Sequence, residues 1–310
     1  MNLHNFKEDF DALATIVSKK LNITAQAVKR DYFIVYMLDK LAHSEYADLC
    51  VFKGGTSLSK CYPGSIERFS EDIDLTYLGM DEDDRTCEKA IKKIISVMAD
   101  GATVEKVQGE GNARNKSRYV WFESEVNKIK LEIGSSVRPE PYHPQTLKSY
   151  IHEYLELENN IQAINEFGLT EVTINTLAIE RTFIDKLMAV KRHALCGKLR
   201  GKVRHIYDVV RLYSMHQIQT FLKEEKELKR ILQLTKQTDS HYLTKRNLPP
   251  EYNPLGNYDF DSWKGKFDNE IKRIYENLHN DLLYTNERQD FLLAIKCFED
   301  INKKLVEINE

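Results

Sequence analysis

The sequence predicts an α+β protein in which a mixed sheet with flanking helices is followed by a mainly helical second half. Short apolar or alternating segments typical of strands occur between residues 49 and 133, among segments of helical periodicity. From Pro139 onward the periodicity is almost wholly helical. We therefore expect two domains: residues 1–150, with N-terminal helices and an α/β core, and residues 151–310, with helices.

The first domain is predicted to begin with two amphipathic helices within its first 45 residues, the second of them capped by Thr24. An apolar run at residues 49–52, which leads into two glycines, indicates a buried strand. Further strands are predicted at residues 72–77, 119–126 and 128–133, and helices at residues 56–62 and 81–98. In the last strand, alternation places Lys130 and Glu132 on one face of the sheet.

The second domain is predicted to be helical apart from a short strand at residues 171–174. Its helices are predicted at residues 177–195, 203–213, 218–236, 260–283 and 288–306. A loop that contains Pro249, Pro250 and Pro254 separates the third of these helices from the fourth.

The composition narrows the class of protein. With 42% hydrophobic and 30% charged residues the chain can bury a packed core, which excludes a disordered or fibrous protein. The longest apolar run, residues 33–38, is far shorter than the roughly 20 residues that span a bilayer. The N-terminus has no signal-peptide core, so we expect a cytoplasmic protein. Five cysteines without a C-x-x-C pair are expected to be free thiols.

A glycine turn joins the predicted strand at residues 49–52 to the next helix. Gly54 and Gly55 would let the backbone approach a phosphate closely. The hydroxyls of Thr56 and Ser57, with the first N–H groups of the helix, would then donate to it. The spacing is not that of a P-loop, and an ordinary structural turn uses the same residues.

Asp72 and Asp74 are separated by one residue on a predicted strand. Their carboxylates therefore share one face, while Ile73 and Leu75 point into the core. Two carboxylates this close repel each other unless a cation lies between them, and Mg²⁺ prefers carboxylate oxygens together with substrate phosphates. The alternative for an isolated D-x-D is a solvated strand face.

The order of these features is more specific than any one of them. Glu132, on a later strand, offers a third carboxylate on a polar face. A phosphate-binding turn followed by these acids predicts a two-metal phosphoryl-transfer site, with Mg²⁺ or Mn²⁺ bound by Asp72, Asp74 and Glu132. One ion would activate the attacking hydroxyl, and the other would hold the triphosphate and the leaving pyrophosphate.

Two segments, KGGTSLSK and RFSEDIDL, resemble motifs of polymerase-β-like nucleotidyltransferases, and more specifically of the AbiEii/AbiGii family of bacterial toxins. The resemblance covers about residues 30–215. It implies a polymerase-β-like fold whose helical domain completes the active-site cleft, in a toxin of a toxin–antitoxin or abortive-infection phage-defence system. The nucleotide-binding residues that it implies in the first domain are Gly54, Gly55, Thr56, Ser57 and Lys60.

Two further segments are similar to family motifs: IERTFIDKLMAVKRH and RHIYDVVRL. By the resemblance, Lys186 contacts the nucleotide phosphates and Asp208 supports the catalytic centre. Lys191 and Arg192 are further nucleotide-binding candidates. His205 stands where the family's pattern has an acid, so no catalytic role is carried over to that position.

Positive charge concentrates between residues 181 and 211, where nine Lys or Arg stand against two Asp and give a local charge of +7. Phosphate neutralisation dominates binding to RNA, so this segment suits a triphosphate and an RNA backbone. Its most outward cluster is predicted at residues 198–204. The alternative is an ordinary basic helix face, complemented by Glu224, Glu225 and Glu227. Near the acids, Arg68 and Ser70 either contact phosphate or hold the loop.

The leading interpretation is an enzyme that transfers a nucleoside monophosphate from an NTP to an acceptor and so arrests growth. The 3′ end of tRNA is the favoured acceptor, and a protein hydroxyl is the alternative. A non-catalytic NTP-binding module and a scaffold that works through its helical half also stay open. The resemblance further implies a cognate antitoxin with a winged-helix DNA-binding domain as the partner.

Overall fold

The computed structural model of the protein describes residues 1–243, 248–280 and 282–308. The chain divides into two units, the first formed by Met1–Cys61 and Phe69–Leu177, the second by Tyr62–Arg68 and Ala178–Glu310. We expected the division at residue 150. It falls later because a strand at Val172–Leu177 still belongs to the sheet of the first unit.

The first unit is built on a mixed sheet with the strand order β3-β4-β5-β2-β1-β7-β6. Its strands are β1 (Cys50–Lys53), β2 (Asp72–Tyr77), β3 (Thr103–Lys106), β4 (Asn115–Trp121), β5 (Ile129–Gly134), β6 (Tyr142–Leu147) and β7 (Val172–Leu177). Its helices are α1 (Lys7–Leu21), α2 (Ala25–Ala42), α3 (Gly54–Cys61), α4 (Asp84–Met98), α5 (Tyr150–Leu157) and α6 (Ile161–Glu166). The central strand β2 runs parallel to β5 and antiparallel to β1, and β1 runs parallel to β7.

Most predicted elements of this unit are confirmed within a few residues. Thr24 caps α2, since its hydroxyl accepts a hydrogen bond from the Ala27 N–H at 3.1 Å. The prediction missed α5, α6 and the two edge strands, β3 and β6. Pro144 in β6 has no N–H to donate to a neighbouring strand, so the sequence pattern does not indicate a strand there. An edge strand can nevertheless contain a proline. The exposed strand β3 has no buried face to produce a clear alternation.

The second unit is mainly helical, as predicted. Its helices are α7 (Ile179–Leu195), α8 (Arg204–Tyr213), α9 (His216–Phe221), α10 (Glu225–Leu243), α11 (Asn269–Glu276) and α12 (Phe291–Glu307). One predicted helix, residues 218–236, is two helices, α9 and α10. The helix predicted at residues 260–283 was largely wrong, and Asp281 within it lies outside the described residues. The apolar residues of this segment instead belong to an aromatic cluster. The ring centroid of Phe260 lies 4.7 Å from that of Trp263 and 5.5 Å from that of Phe298.

Two expectations about the whole chain can be compared with the structure. All five cysteines are free thiols, and four of them are buried. Among the described residues, no helix combines the length and the apolar character needed to cross a bilayer.

Candidate active site

The glycine turn lies where β1 ends and α3 begins. Gly54 has a φ of +89°, a backbone conformation that residues with a side chain rarely adopt. A Cβ atom at this position would overlap the carboxylate of Asp74, whose Cγ would be only 3.0 Å away. Glycine is therefore needed twice, for the backbone conformation and for the close approach of Asp74 to the start of α3.

The hydroxyls of Thr56 and Ser57, expected to bind phosphate, are buried and hydrogen-bonded within the first unit. Thr56 Oγ1 donates to the Asp72 carbonyl oxygen at 2.5 Å and lies 3.0 Å from Ser70 Oγ. Ser57 Oγ donates to the Gly54 carbonyl oxygen at 3.0 Å. The Thr56 hydroxyl thus fastens the turn to the strand that carries the acids, whereas the Ser57 hydroxyl bonds within the first turn of α3. The first backbone N–H groups of α3 have no acceptor within the helix and are available as donors to a phosphate.

The predicted alternation along β2 is confirmed. Ile73 and Leu75 are buried, whereas Asp72 and Asp74 are partly exposed on the opposite face. Both carboxylates therefore lie on one face of the sheet, and Asp74 adjoins the N-terminus of α3. A helix N-terminus carries partial positive charge, which stabilises a nearby carboxylate and also attracts phosphate.

Glu132 lies on the same face, as the strand pattern predicts, because it is the neighbour of Asp74 in the parallel pair of β2 and β5. Its carboxylate, however, forms an ion pair with Lys130, which also lies 2.9 Å from Glu110. Burial would lower the pKa of Lys130, but hydrogen bonds to the two glutamates outweigh burial and raise it. Glu132 would have to leave a charged lysine to bind a cation.

The three predicted metal ligands, Asp72, Asp74 and Glu132, do not form a preassembled set. Within residues 1–243, 248–280 and 282–308, no group of three or more His, Cys, Asp or Glu side chains is arranged to hold a metal ion. Asp72 and Asp74 together still fit Mg²⁺, which takes one or two carboxylates and completes its octahedron with water and substrate phosphates. Lys53, at the end of β1, is the neighbour of Asp74 in the antiparallel pair of β1 and β2, a position that the sequence analysis did not single out.

In the second unit, Lys186 on α7 and Asp208 on α8 meet in a buried cluster with Arg68. Arg68 donates two hydrogen bonds to Asp208, Nε to Oδ1 at 2.5 Å and a terminal nitrogen to Oδ2 at 2.8 Å. Lys186 Nζ donates to Oδ2 at 2.6 Å. Burial would raise the pKa of Asp208, but the two cations outweigh burial and hold this pKa well below its ordinary value. Asp208 is therefore a buried anion bound by two cations.

This cluster decides between the two roles considered for Arg68. Its side chain is 2% exposed and bidentate on Asp208, so it holds its segment of the chain. In the sequence, the position of Arg68 four residues before the D-x-D was the only indication of its importance. His205 lies against His193, their rings stacked 6.1 Å apart. Burial, then the positive charge of Lys186, lowers the pKa of His205 well below its ordinary value, so its imidazole is neutral near pH 7.

Three other predicted nucleotide-binding residues form contacts inside their own units. Lys191 Nζ donates to the Asn257 carbonyl oxygen at 2.6 Å, and burial lowers its pKa to about 8. Arg192 donates to Asp239 at 2.6 Å. Lys60 is buried in an ion pair of the first unit. Each of these cations would have to leave its partner in the protein in order to contact a nucleotide.

The basic segment divides into paired and outward-facing residues. Five of its cations form ion pairs: Arg181, Lys186, Arg192, Arg200 and Arg211. In the part of the chain that the structure describes, no ion pair involves Lys198, Lys202 or Arg204. Lys198 and Lys202 lie between α7 and α8, and Arg204 is the first residue of α8. We call residues 198–204 the basic turn. Lys198 and Arg204 are exposed there.

The acids proposed to complement this charge have other partners. Glu225 and Glu227 pair with Lys229 and Arg230 of their own helix, α10, at 3.0 and 2.6 Å. Within the basic turn, Arg200 pairs with Glu270, while Glu225 and Glu227 leave Lys198, Lys202 and Arg204 uncompensated among the described residues. The positive charge of these three residues favours an anionic partner.

Paired acids beside a glycine turn, on one face of a helix-flanked mixed sheet, are typical of a phosphoryl-transfer site. The chain matches the family model of the AbiEii nucleotidyltransferase toxins of type IV toxin–antitoxin systems over residues 36–294. It belongs to this toxin family, so both the expected family and the expected fold class are confirmed.

The solved structures that are similar to the chain include MenT4 and JHP933. MenT4, a nucleotidyltransferase toxin from Mycobacterium tuberculosis, aligns with a TM-score of 0.51 and 18% identity, over 95% of this chain and 98% of MenT4. At this identity the likeness shows the fold alone. JHP933 from Helicobacter pylori aligns with a TM-score of 0.41 and 17% identity, over 92% of this chain and 95% of that one. No curated protein sequence matches the chain.

Proposed function

We propose that the protein transfers a nucleoside monophosphate from an NTP to the 3′ end of tRNA in the cytoplasm, and that this arrests growth. The observation that carries the proposal is the pair Asp72 and Asp74 on one face of the sheet, beside the turn at Gly54. Membership of a nucleotidyltransferase toxin family supports the class of reaction.

The chemistry follows from what these residues offer. Asp72 and Asp74 would hold two ions of Mg²⁺ or Mn²⁺, which when bound neutralise phosphate charge and lower the pKa of the attacking hydroxyl. The first N–H groups of α3 would hold the triphosphate. The acceptor oxygen forms a bond to the α-phosphorus as the bond from that phosphorus to pyrophosphate breaks. Pyrophosphate leaves with the electron pair, and the hydroxyl proton passes to water.

The direct test offers each of the four α-³²P NTPs with Mg²⁺ or Mn²⁺, with total tRNA and total cell protein as separate acceptors. Label on tRNA from one NTP would support the proposal and name the base. Label on protein alone would replace tRNA by a protein hydroxyl. An NTP-dependent rise in the unfolding temperature without label on either acceptor would favour a binding module instead.

The basic turn supports RNA as the acceptor. Replacing Lys198, Lys202 and Arg204 by Ala is expected to raise KM for tRNA about tenfold and to leave KM for the NTP unchanged. The slope of log KM against log salt should fall by about 2 to 3, because each side chain neutralises one phosphate.

The matched control for this variant removes the same charge from an exposed part of the same unit. Lys223 lies just before α10, and Lys226 and Lys229 lie in its first turns; all three are exposed. Their replacement by Ala should change neither KM nor its salt dependence. Equal effects of both triple variants would show that only net charge matters, which contradicts a specific RNA surface.

Gly54→Ala is expected to displace Asp74 in addition to straining the backbone. Gly101 is the matched control, because its φ of +77° is similar and nothing lies within 4 Å of its added Cβ. Strain alone should cost Gly101→Ala about 1–2 kcal/mol of stability. Gly54→Ala should lose more stability in urea unfolding and at least about tenfold in transfer. Full activity in both variants would contradict the close approach of Asp74.

We further propose that the cognate antitoxin carries a winged-helix DNA-binding domain, acts without a lasting complex with this toxin, and serves in abortive infection. Membership of a type IV toxin–antitoxin family supports the existence of an antitoxin partner. Co-expression with the neighbouring open reading frame should restore growth, while size-exclusion chromatography of the two proteins should show separate peaks.

A further inference from the structure

The helix that presents the glycine turn is short. With eight residues, α3 is too short to be stable alone, so contacts along its length set its direction. At its first turn, Thr56 donates to the backbone of Asp72. At its last turn, the contacts are made by Lys60, whose side chain is only 2% exposed.

Three groups surround the buried ammonium of Lys60. Its Nζ lies 2.8 Å from Asp31 Oδ1 and 3.8 Å from Glu153 Oε1. The ring of Tyr150 lies 4.0 Å away, close enough for a cation–π interaction. Asp31 belongs to α2, and the other two residues belong to α5. Lys60 thus joins α3 to two other helices of the first unit.

Asp31 extends the same connection. Its second carboxylate oxygen, Oδ2, accepts a hydrogen bond from the Tyr150 N–H at 2.7 Å, at the start of α5. Asp31 is itself only 6% exposed. Removing the charge of Lys60 alone would leave a buried carboxylate without its cation. An asparagine at position 31 would remove the second charge and keep an oxygen for the Tyr150 N–H.

We propose that Lys60 and Asp31 are positioning residues that fix the direction of α3 and thereby the turn that binds the triphosphate. Lys60 acts through the helix, since six residues of α3 place it about 9 Å from Gly54 along the axis. The inference rests on the proposed function for the use of that turn. It replaces a direct contact between Lys60 and the nucleotide.

The test compares Lys60→Met with the double variant Lys60→Met/Asp31→Asn, at a temperature at which both are folded. The single variant is expected to lose about tenfold to a hundredfold in kcat/KM for the NTP, because the turn is misplaced. The double variant should recover to within about threefold of wild type, because no buried charge is left unpaired. Backbone amide exchange at residues 54–57 should rise in the single variant and return in the double.

Lys20→Met is the control, because Lys20 also pairs with a carboxylate and lies over a tyrosine, but with its side chain 45% exposed. It should change neither readout. A double variant as inactive as Lys60→Met would show a direct contact between Lys60 and phosphate and overturn the proposal. Unchanged amide exchange in Lys60→Met would also overturn it. A wild type that neither binds nor transfers NTP would remove the proposed function, while the exchange data would still test the positioning role.

Discussion

Asp74→Asn is expected to lower kcat/KM for nucleotidyl transfer by about three orders of magnitude, roughly 4 kcal/mol of transition-state stabilisation. The substitution keeps the size of the side chain beside Gly54 but removes its negative charge. Charge is what a divalent ion needs from this face of the sheet, and the loss is felt most where charge develops in the transition state. Single-turnover transfer of label from the preferred NTP measures the effect.

Glu132→Gln is the informative comparison, because both carboxylates lie on the same face of neighbouring strands. Since Glu132 is bound to Lys130, its loss should cost no more than about tenfold in kcat/KM. Thermal unfolding should show both variants folded at the assay temperature. Asp74→Asn with more than a tenth of wild-type activity, or Glu132→Gln as inactive as Asp74→Asn, would contradict the assignment of the site to Asp72 and Asp74.

The arrangement of Asp72, Asp74 and Gly54 could be predicted from the sequence because it depends on residues that are close together in the chain. A period of two places Asp72 and Asp74 on one face whatever lies beside the strand. A glycine between a strand and a helix indicates an unusual backbone, and Gly54 has one. The clash of a Cβ with Asp74 depends instead on the pairing of β1 with β2, which the sequence does not display.

The parts that were missed depend on contacts between residues distant in the chain. Lys60 and Lys130 look alike in the sequence, but one is buried against α2 and the other pairs with acids on the sheet. Only the packing of helices and the register of strands distinguish such lysines. Charge patterns predicted the basic turn correctly as a surface, because a turn between two helices has few ways to bury four cations.

Asp208→Asn is expected to destabilise the second unit by about 3–5 kcal/mol, because it leaves Arg68 and Lys186 buried without their shared anion. Both cations are at most 8% exposed, so water cannot replace the lost carboxylate. Urea unfolding followed by circular dichroism measures the change. Any loss of transfer would then arise through Lys186 and Arg68, since Asp208 has no exposed surface with which to touch a substrate.

The stability that Asp208 contributes should decrease as the pH falls. The folded-state pKa of Asp208 lies below the ordinary 3.8, so the unfolded chain takes up this proton first as the pH falls. The stability that Asp208 contributes is therefore complete above about pH 5 and is lost as the pH falls through the folded-state pKa. The difference in unfolding free energy between wild type and Asp208→Asn should be largest near neutral pH and shrink toward about pH 2.

Asp300→Asn is the control, because it removes a carboxylate that is paired at the surface instead of buried. Asp300 pairs with Lys303 at 3.0 Å, but the two side chains are 35% and 71% exposed. Solvent screens such a pair, so its loss should cost less than about 1 kcal/mol. If Asp208→Asn proved as mild as Asp300→Asn, the cluster would not hold α7 and α8 together, and Asp208 would have to act through some other contact.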